Sequence, residues 1–204
     1  MGRRTYKIII KITSVAIIVT EVIFVEDFMT NIFVTGPMND NEIGYLIKSR
    51  LSKSYTISYI KEDSFYKIGN GYDLVVFESK SPVINTDSGI ILLKENGIIP
   101  DNISSNITAI INADNEEQLK AVQRNHIRVI TCGTCNTATV SFTSETEDSI
   151  MISLNRALTA LSGKEIEPLE IPTEKGGASR YSLMSYIALR LLLDDYNSEL
   201  GKLI

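Results

Sequence analysis

The order of apolar and polar positions from residue 31 onward predicts alternating strands and helices. Residues 31–36 (NIFVTG) form a short apolar run that ends in a turn residue. Residues 41–53 then place apolar side chains at helical spacing on one face. Residues 89–94 (GIILLK) fit either a strand or the start of a helix. Further strands are predicted at 55–60, 73–79, 107–114 and 127–133, and a further helix at 115–125.

The pattern changes after Gly133. Polar alternation at 137–144 is typical of a strand, and the following segment, 149–161, is predicted to be a helix that stops at Gly163. A proline-containing extended segment at 166–172 and a final apolar helix at 181–194 complete the chain. The paired glycines in residues 174–179 make this stretch the one plausible hinge.

This alternation predicts an α/β fold of three layers: a mostly parallel sheet with helices on both faces, joined by right-handed crossovers. The 204 residues suit one core of this kind, which needs neither disulfides nor a metal to be stable. We therefore expect residues 29–204 to form a single α/β domain.

Residues 1–28 differ from the rest of the chain. Residues 8–25 are strongly apolar and follow three basic residues, as in a membrane anchor or signal peptide, but no cleavage site follows them. Lys11 and Glu21 would each cost about 3 kcal/mol near the centre of a spanning helix. Three interpretations stay open: a dispensable extension read before a natural start at Met29, a strand or helix added to the domain, and a membrane contact through 8–25.

Charge and cysteine content narrow the functional classes. The net charge of −5 argues against a nucleic-acid binder, which needs a basic surface to displace counterions from phosphates. Two cysteines without a recognisable export signal suit the reducing cytoplasm. Cys132 and Cys135 have the CxxC spacing of thioredoxin-type redox centres, but a strand, not a helix, is predicted after them. We expect two ordinary thiols in a turn, and no metal site.

The turn after the first strand is where open α/β folds bind phosphate, at the N-terminus of the next helix. Here it reads VTGPMNDNEIGYLIKSRL, residues 34–51. This stretch resembles the nucleotide-binding loop and helix of the Mur ligases, the ATP-dependent enzymes that add amino acids to peptidoglycan precursors. Thr35 and Gly36 match the family pattern TGTNGKT, and the helix matches its YLIKS sequence.

The resemblance extends from Met29 to the C-terminus. It places Glu78 at the position of the magnesium-associated glutamate, and it covers the IINADN segment, the RVITCG strand and the final helix. The family's histidine-containing stretch has no counterpart, and the sole histidine, His126, is predicted to end a helix. The resemblance implies a central ATP-binding domain and, for that reason alone, a bacterial cell-wall connection.

The loop itself departs from the family pattern. Asn39 stands at the second glycine, Asp40 at the lysine and Asn41 at the magnesium-binding hydroxyl. Exchanging a lysine for an aspartate beside the phosphates changes the interaction by about 2 to 8 kcal/mol per phosphate charge at about 4 Å. Tight ATP binding in the usual pose, and with it ligase chemistry, should be absent. The backbone shape of residues 35–41 decides whether the loop can still bind a ligand, because convergent N–H groups would still bind an anion.

Each candidate residue also has a structural interpretation. Glu78 at a strand end fits a hydrogen-bonded carboxylate as well as a metal ligand, and Asp40 fits a helix cap. Asp114 and Asn115 are predicted to cap the next helix.

Two functional hypotheses follow from these residues. The first is a non-catalytic Mur-ligase-like domain without a cofactor, which uses the old cleft to bind itself, a protein partner or a small ligand. The alternative is a nucleotide- or metal-dependent enzyme or switch, in which an altered loop holds ATP and Glu78 holds a cation.

Overall fold

The computed structural model describes residues 30–69, 72–100 and 103–196. The predicted extension 1–28, with the possible membrane contact of 8–25, lies outside the described residues. No helix within the described ranges is long and apolar enough to cross a membrane.

The strands are β1 (Thr30–Thr35), β2 (Tyr55–Lys61), β3 (Ser64–Ile68), β4 (Tyr72–Ser79), β5 (Gly89–Leu93), β6 (Ile107–Asn112), β7 (Arg128–Cys132), β8 (Val140–Glu145), β9 (Ser149–Leu154), β10 (Leu158–Thr159), β11 (Glu165–Ile166) and β12 (Leu169–Glu174). The helices are α1 (Glu42–Arg50), followed by a 3-10 turn (Leu51–Lys53), α2 (Glu116–Asn125) and α3 (Arg180–Leu192).

Ten of these strands form one sheet, in the order β12-β9-β8-β7-β6-β5-β1-β4-β2-β3. The seven central strands, β8 to β2 in this order, pair in parallel. The additions at the two edges, β3 on one side and β9 and β12 on the other, are antiparallel. The sheet is thus mostly parallel, as the sequence predicts.

Apolar side chains cover both faces of this sheet. On β5, Ile90 and Leu92 belong to a core shared with α1 and α3, whereas Ile91 and Leu93 belong to a second core that includes Val122 of α2. This alternation is the reason for the continuous apolar run of β5, because a central parallel strand needs apolar residues on both faces. The predicted three-layer α/β fold is confirmed.

The helix predicted at 149–161 is wrong. Residues 149–154 form the strand β9, which pairs antiparallel with β8 and β12. Its inward-facing residues, Ile150, Ile152 and Leu154, alternate with period two and are buried. Tertiary pairing on both sides stabilises the strand, and the apolar run is too short to separate helix from strand by periodicity.

Two more features differ from the simple βαβ alternation. The hairpin partner β3, with four exposed residues out of five, was not predicted. Among the described residues, no helix lies between β4 and β5 or between β5 and β6. Residues 89–94, which fitted a strand or a helix, contain the strand β5.

Candidate functional site

The candidate site lies where four neighbouring parallel strands end. Thr35 ends β1 and Glu78 lies at the end of β4, while Lys61 ends β2 and Lys94 directly follows β5. Register pairs Lys61 with Glu78 across β2 and β4. Carboxyl ends of parallel strands meet at one edge of the sheet, so the topology gathers these charged residues next to the loop before α1.

Lys94 fills the inside of that loop with its ammonium group. The side chain of Lys94 is fully buried, and its Nζ donates to the carbonyl oxygens of Pro37 at 2.7 Å and Asp40 at 2.5 Å. Its third donor goes to Oε1 of Glu78 at 2.7 Å. An ammonium group has three donors, so those of Lys94 are fully used.

The main chain holds Lys94 in place from both faces of the sheet. Its N–H donates to the carbonyl of Thr35, and its carbonyl accepts from the buried amide of Gln118 on α2. On the other face, the hydroxyl of Tyr181 on α3 donates to the carbonyl of Leu93. These bonds fix the direction in which the Lys94 side chain leaves the strand.

Glu78 is the negative centre of the cluster. Oε1 of this buried carboxylate accepts from Lys94 and, at 2.9 Å, from Nζ of Lys61, while Oε2 accepts from the hydroxyl of Tyr59. The remaining donors of Lys61 reach the side chain of Asn41 at 2.5 Å and the carbonyl of Met38. Every ionic group of this cluster is therefore satisfied within the protein.

The hydrogen bonds set the ionisation of the cluster. Burial opposes ionisation of Glu78, but the bonds from Lys94, Tyr59 and Lys61 together outweigh it, and the pKa of the carboxyl group is lowered. Burial, with the hydrogen bond and negative charge of Glu78, raises the pKa of Tyr59 well above its usual value. Glu78 is thus a carboxylate and Tyr59 a neutral phenol at physiological pH.

Two glycines allow these side chains to come close. Gly36 has φ of 146° and leads out of β1, where an added Cβ would lie 2.7 Å from Cβ of Lys94. Gly44, in the first turn of α1, leaves space that a Cβ would share with the Tyr59 hydroxyl at 2.3 Å and Glu78 Oε2 at 3.0 Å. The buried cluster depends on the absence of both side chains.

The three residues that replace the family pattern have local structural roles. The carboxylate of Asp40 accepts from the N–H of Glu42 at the start of α1, as expected of a residue that caps a helix. Asn41 lies at the N-cap position, but its side-chain oxygen accepts from Lys61 instead of from the helix. The carbonyl of Asn39 accepts weakly from the Asn41 amide.

The residues present do not fit magnesium and ATP in the usual pose. The carbonyls of Pro37, Met38 and Asp40 point towards ammonium groups, which is the reverse of the convergent N–H groups that bind phosphate. Glu78, the expected magnesium-associated residue, is fully engaged by two lysines and a tyrosine. Within the described ranges, no three His, Cys, Asp or Glu residues cluster as metal ligands would.

Thr35 has one feature that the cluster leaves unused. Its side chain is fully buried, and its hydroxyl oxygen has no hydrogen-bond partner among the described residues. The carbonyl of the same residue accepts from Lys94. Thr35 thus contributes its main chain, and not its hydroxyl, to the geometry of the loop.

The two cysteines lie at the end of β7 and in the turn that follows. Cys132 is fully buried, and burial raises the pKa of its thiol, whereas a redox nucleophile needs a lowered one. Cys135 is exposed, and the hydroxyl of Thr137 donates to its sulfur and lowers the pKa of the thiol. Both cysteines are free.

The neighbouring polar residues follow the sequence predictions in part. Asn115 caps α2 through bonds from the N–H groups of Glu117 and Gln118. Asp114 instead accepts from the main chain and hydroxyl of Thr134, so it holds the cysteine turn and does not cap the helix. His126 ends α2 in a left-handed conformation, with φ of 51°.

Sequence reasoning identified Glu78 and the loop but missed Lys94, Lys61 and Tyr59. The available signal was a lysine at the end of each of two apolar strands, GIILLK and YTISYIK. A lysine that follows directly on a buried strand needs a partner, and the parallel topology brings it to the edge that contains Glu78.

Comparisons with known proteins find similarity in structure only. Neither a scan against protein-family models nor a search of curated proteins finds a match. Among solved structures, MurF ligase from Thermotoga maritima in complex with ADP covers 85% of this chain at 12% identity and a TM-score of 0.51. E. coli FolC in complex with DHPP and ADP covers 84% at 11% identity and a TM-score of 0.52.

This chain covers 47% of the MurF chain and 55% of the FolC chain, so it spans about half the length of these structures. Identities of 11 and 12% establish the fold and leave activity open. The described chain has a Mur ligase central-domain-like α/β fold.

Proposed function

We propose that this protein is a non-catalytic Mur-ligase-like domain that works by binding or assembly and not by ATP-dependent ligation. The observation that supports this most directly is the Lys94 ammonium group inside the loop before α1. It occupies the space that opens between the loop and Glu78, and its three donors all point to protein atoms.

The electrostatics of the loop support the same conclusion. A phosphate that entered here would face the carbonyl oxygens of Pro37 and Asp40, which repel it, and would have to take Lys94 from Glu78. Taking Lys94 away in this way breaks a buried ion pair of Glu78, which then keeps only Lys61 and Tyr59, and breaking a buried pair costs several kcal/mol. Nucleotide binding must therefore overcome the bonds that hold the folded loop.

The role that remains for such a domain is recognition of a protein partner or of a second copy of itself. Large apolar side chains are exposed on the edge strand β3, Phe65 at 63% and Tyr66 at 48%, and on α1 at Tyr45. An edge strand with exposed aromatic residues is a common feature of pairing surfaces. A cytoplasmic location belongs to the same proposal and is consistent with two free cysteines.

Calorimetric titration with magnesium-ATP and magnesium-ADP tests the proposal. We expect no saturable heat with the natural chain at millimolar nucleotide, and no shift of its thermal midpoint. Saturable binding would contradict the proposal and support the alternative, a nucleotide-dependent switch with an altered loop. That alternative also predicts stronger binding for Asp40→Lys, whereas our proposal predicts none because Lys94 still fills the loop.

Sedimentation equilibrium of the purified chain tests the assembly part separately. A monomer at all concentrations would direct the search to a different partner protein, whereas a reversible dimer that Tyr45→Ser and Tyr66→Ser weaken would identify self-association through the exposed tyrosines of α1 and β3.

A further inference from the structure

One half of a sheet face has no helix over it in the described part of the chain. Cross-strand register aligns Phe65 of β3, Ile60 of β2, Phe77 of β4 and Phe33 of β1 in one row. The row continues into Ile91 of β5, which is fully buried. Phe65 is 63% exposed, and the next three side chains are only half-buried.

The uncovered half forms a groove of about 690 Å³. Phe33, Phe77 and Ile60 form its floor, and the coil after β4, with Pro82 and Val83, forms one wall. The rings of Phe33 and Phe77 are stacked at 5.5 Å. The floor of the groove is thus a row of apolar side chains, while polar residues such as Glu62, Lys80 and Asn85 also line the groove.

The other half of the same face shows what normally covers such a surface. There Ile91 and Ala109 are fully buried beneath a core that includes Val122 of α2 and Ile99 of the coil after β5. Central strands of a parallel sheet are regularly covered on both faces by helices. The half formed by β1, β4, β2 and β3 has no such cover from the described residues.

We infer that residues 8–25 of this chain are the occupant of the groove. The covalent connection favours this segment, because residue 29 directly precedes Thr30, the first residue of β1, and β1 lies in the floor of the groove. Residues 26–29 provide a link of the length that usually joins a helix to the next strand, about 2 to 6 residues. The inference goes beyond the proposed function and does not depend on it.

The residue pattern of the segment matches an apolar face. Lys11 and Glu21 are its charged residues, and with Lys7 and Ser14 they fall on one stripe at helical spacing. The remaining sides are apolar except for two threonines, Thr13 and Thr20. As a helix, 18 residues reach about 27 Å, enough to run back along the six residues of β1, about 20 Å. The segment can therefore lie antiparallel to β1 with its polar stripe in water.

Photo-crosslinking in the full chain tests this occupant against the others. The variant Phe65→p-benzoyl-phenylalanine places the probe at the open end of the row. Tyr66→p-benzoyl-phenylalanine is the matched control, because the adjacent residue of β3 points to the opposite face, where Tyr66 lies beside Lys48. We expect a crosslink within one chain, at monomer mass, between position 65 and a peptide from 8–25, and none from position 66.

Several outcomes would overturn the inference. A crosslink at dimer mass would indicate a second copy as the occupant, and a crosslink to added lipid vesicles would indicate a membrane. The absence of any crosslink to residues 8–25, or equal crosslinking from positions 65 and 66, would also overturn it.

Alkylation provides a second readout that does not depend on the bulky probe. In a Cys135→Ser background, Phe65→Cys should react at least about tenfold more slowly than Tyr66→Cys, because the docked segment limits access to it. Adding Ile12→Asp and Ile23→Asp, which lie on the side opposite the polar stripe, should remove this difference. Equal rates in the chain with the natural segment would overturn the inference.

Discussion

Two carboxylates in this molecule each bridge two cationic side chains, and they differ mainly in their exposure to water. Glu78 bridges Lys61 and Lys94 with its side chain 1% exposed. Glu145 on β8 bridges Lys175 and Arg180, both at 2.6 Å, with its side chain 20% exposed. The pKa of both carboxyl groups is lowered. At Glu145 the hydrogen bonds from Lys175 and Arg180 lower it. At Glu78 burial raises the pKa, but the hydrogen bonds to the carboxylate outweigh this effect.

The difference in burial decides what each group does. Glu145 links β8 to residues on either side of the glycine turn before α3, and water can replace each of its bonds. Glu78 and Lys94 have no water to replace a missing partner, so each depends on the other. The buried group therefore fixes the loop before α1, while the exposed group is a surface contact.

The largest effect that separates the two groups should come from Glu78→Gln. The substitution keeps the shape but leaves the Lys94 ammonium buried without a counter-charge, and we expect the free energy of unfolding to fall by about 3–5 kcal/mol. Urea denaturation followed by circular dichroism measures this. Glu145→Gln is the matched control and should leave the midpoint nearly unchanged. Equal losses for the two variants would refute the distinction.

Lys94→Met should have the second largest effect. Glu78 then keeps Lys61 and Tyr59, but the carbonyls of Pro37 and Asp40 lose their donor, and we expect a loss of about 2–4 kcal/mol in unfolding free energy. The double variant with Glu78→Gln should lose less than the sum of the two single losses. Additive losses in this cycle would mean that the two side chains do not interact.

Gly44→Ala should destabilise although alanine favours helices. The added Cβ would meet the buried hydroxyl of Tyr59 and the Glu78 carboxylate, and overpacking of this kind costs about 1–3 kcal/mol. Ser49→Ala in the same helix is a control without this collision. An unfolding midpoint equal to or above that of the natural chain would show that the cluster is looser than described.

The smallest expected effect concerns pH. Because the pKa of Glu78 is lower in the folded protein, its contribution is complete above the unfolded pKa of about 4.3 and is lost as pH falls through the folded pKa. Below pH of about 4, Glu78→Gln should therefore lose stability less steeply than the natural chain, by up to about 1.4 kcal/mol per pH unit. Parallel slopes in acid denaturation would contradict this.

Much of the fold was accessible from the sequence because its signals are local. The final helix, with apolar residues at helical spacing, and the buried run of β5 follow directly from the pattern. β9 was wrongly predicted as a helix, because pairing with β8 and β12 decides its structure and a short apolar run does not show that pairing. The edge strand β3 lacks a buried face and left no pattern.

The candidate site was accessible only in part for the same physical reason. Asp40 indicated a loop unsuited to phosphate, which stays a prediction, and the sequence suggested a negative loop without a basic residue. The positive charge in the loop is supplied by Lys94, which is 54 residues away from Asp40 along the chain. Only the order of the strands brings the two together.

The central claim is that the ammonium group of Lys94 occupies the loop, and side-chain ¹⁵N NMR of the full chain tests it most directly. We predict one lysine ammonium signal that is protected from exchange with water, disappears in Lys94→Met, and stays unchanged when millimolar magnesium-ATP is added. A Lys94 ammonium signal in fast exchange with water, or one that shifts saturably with magnesium-ATP, would contradict the account.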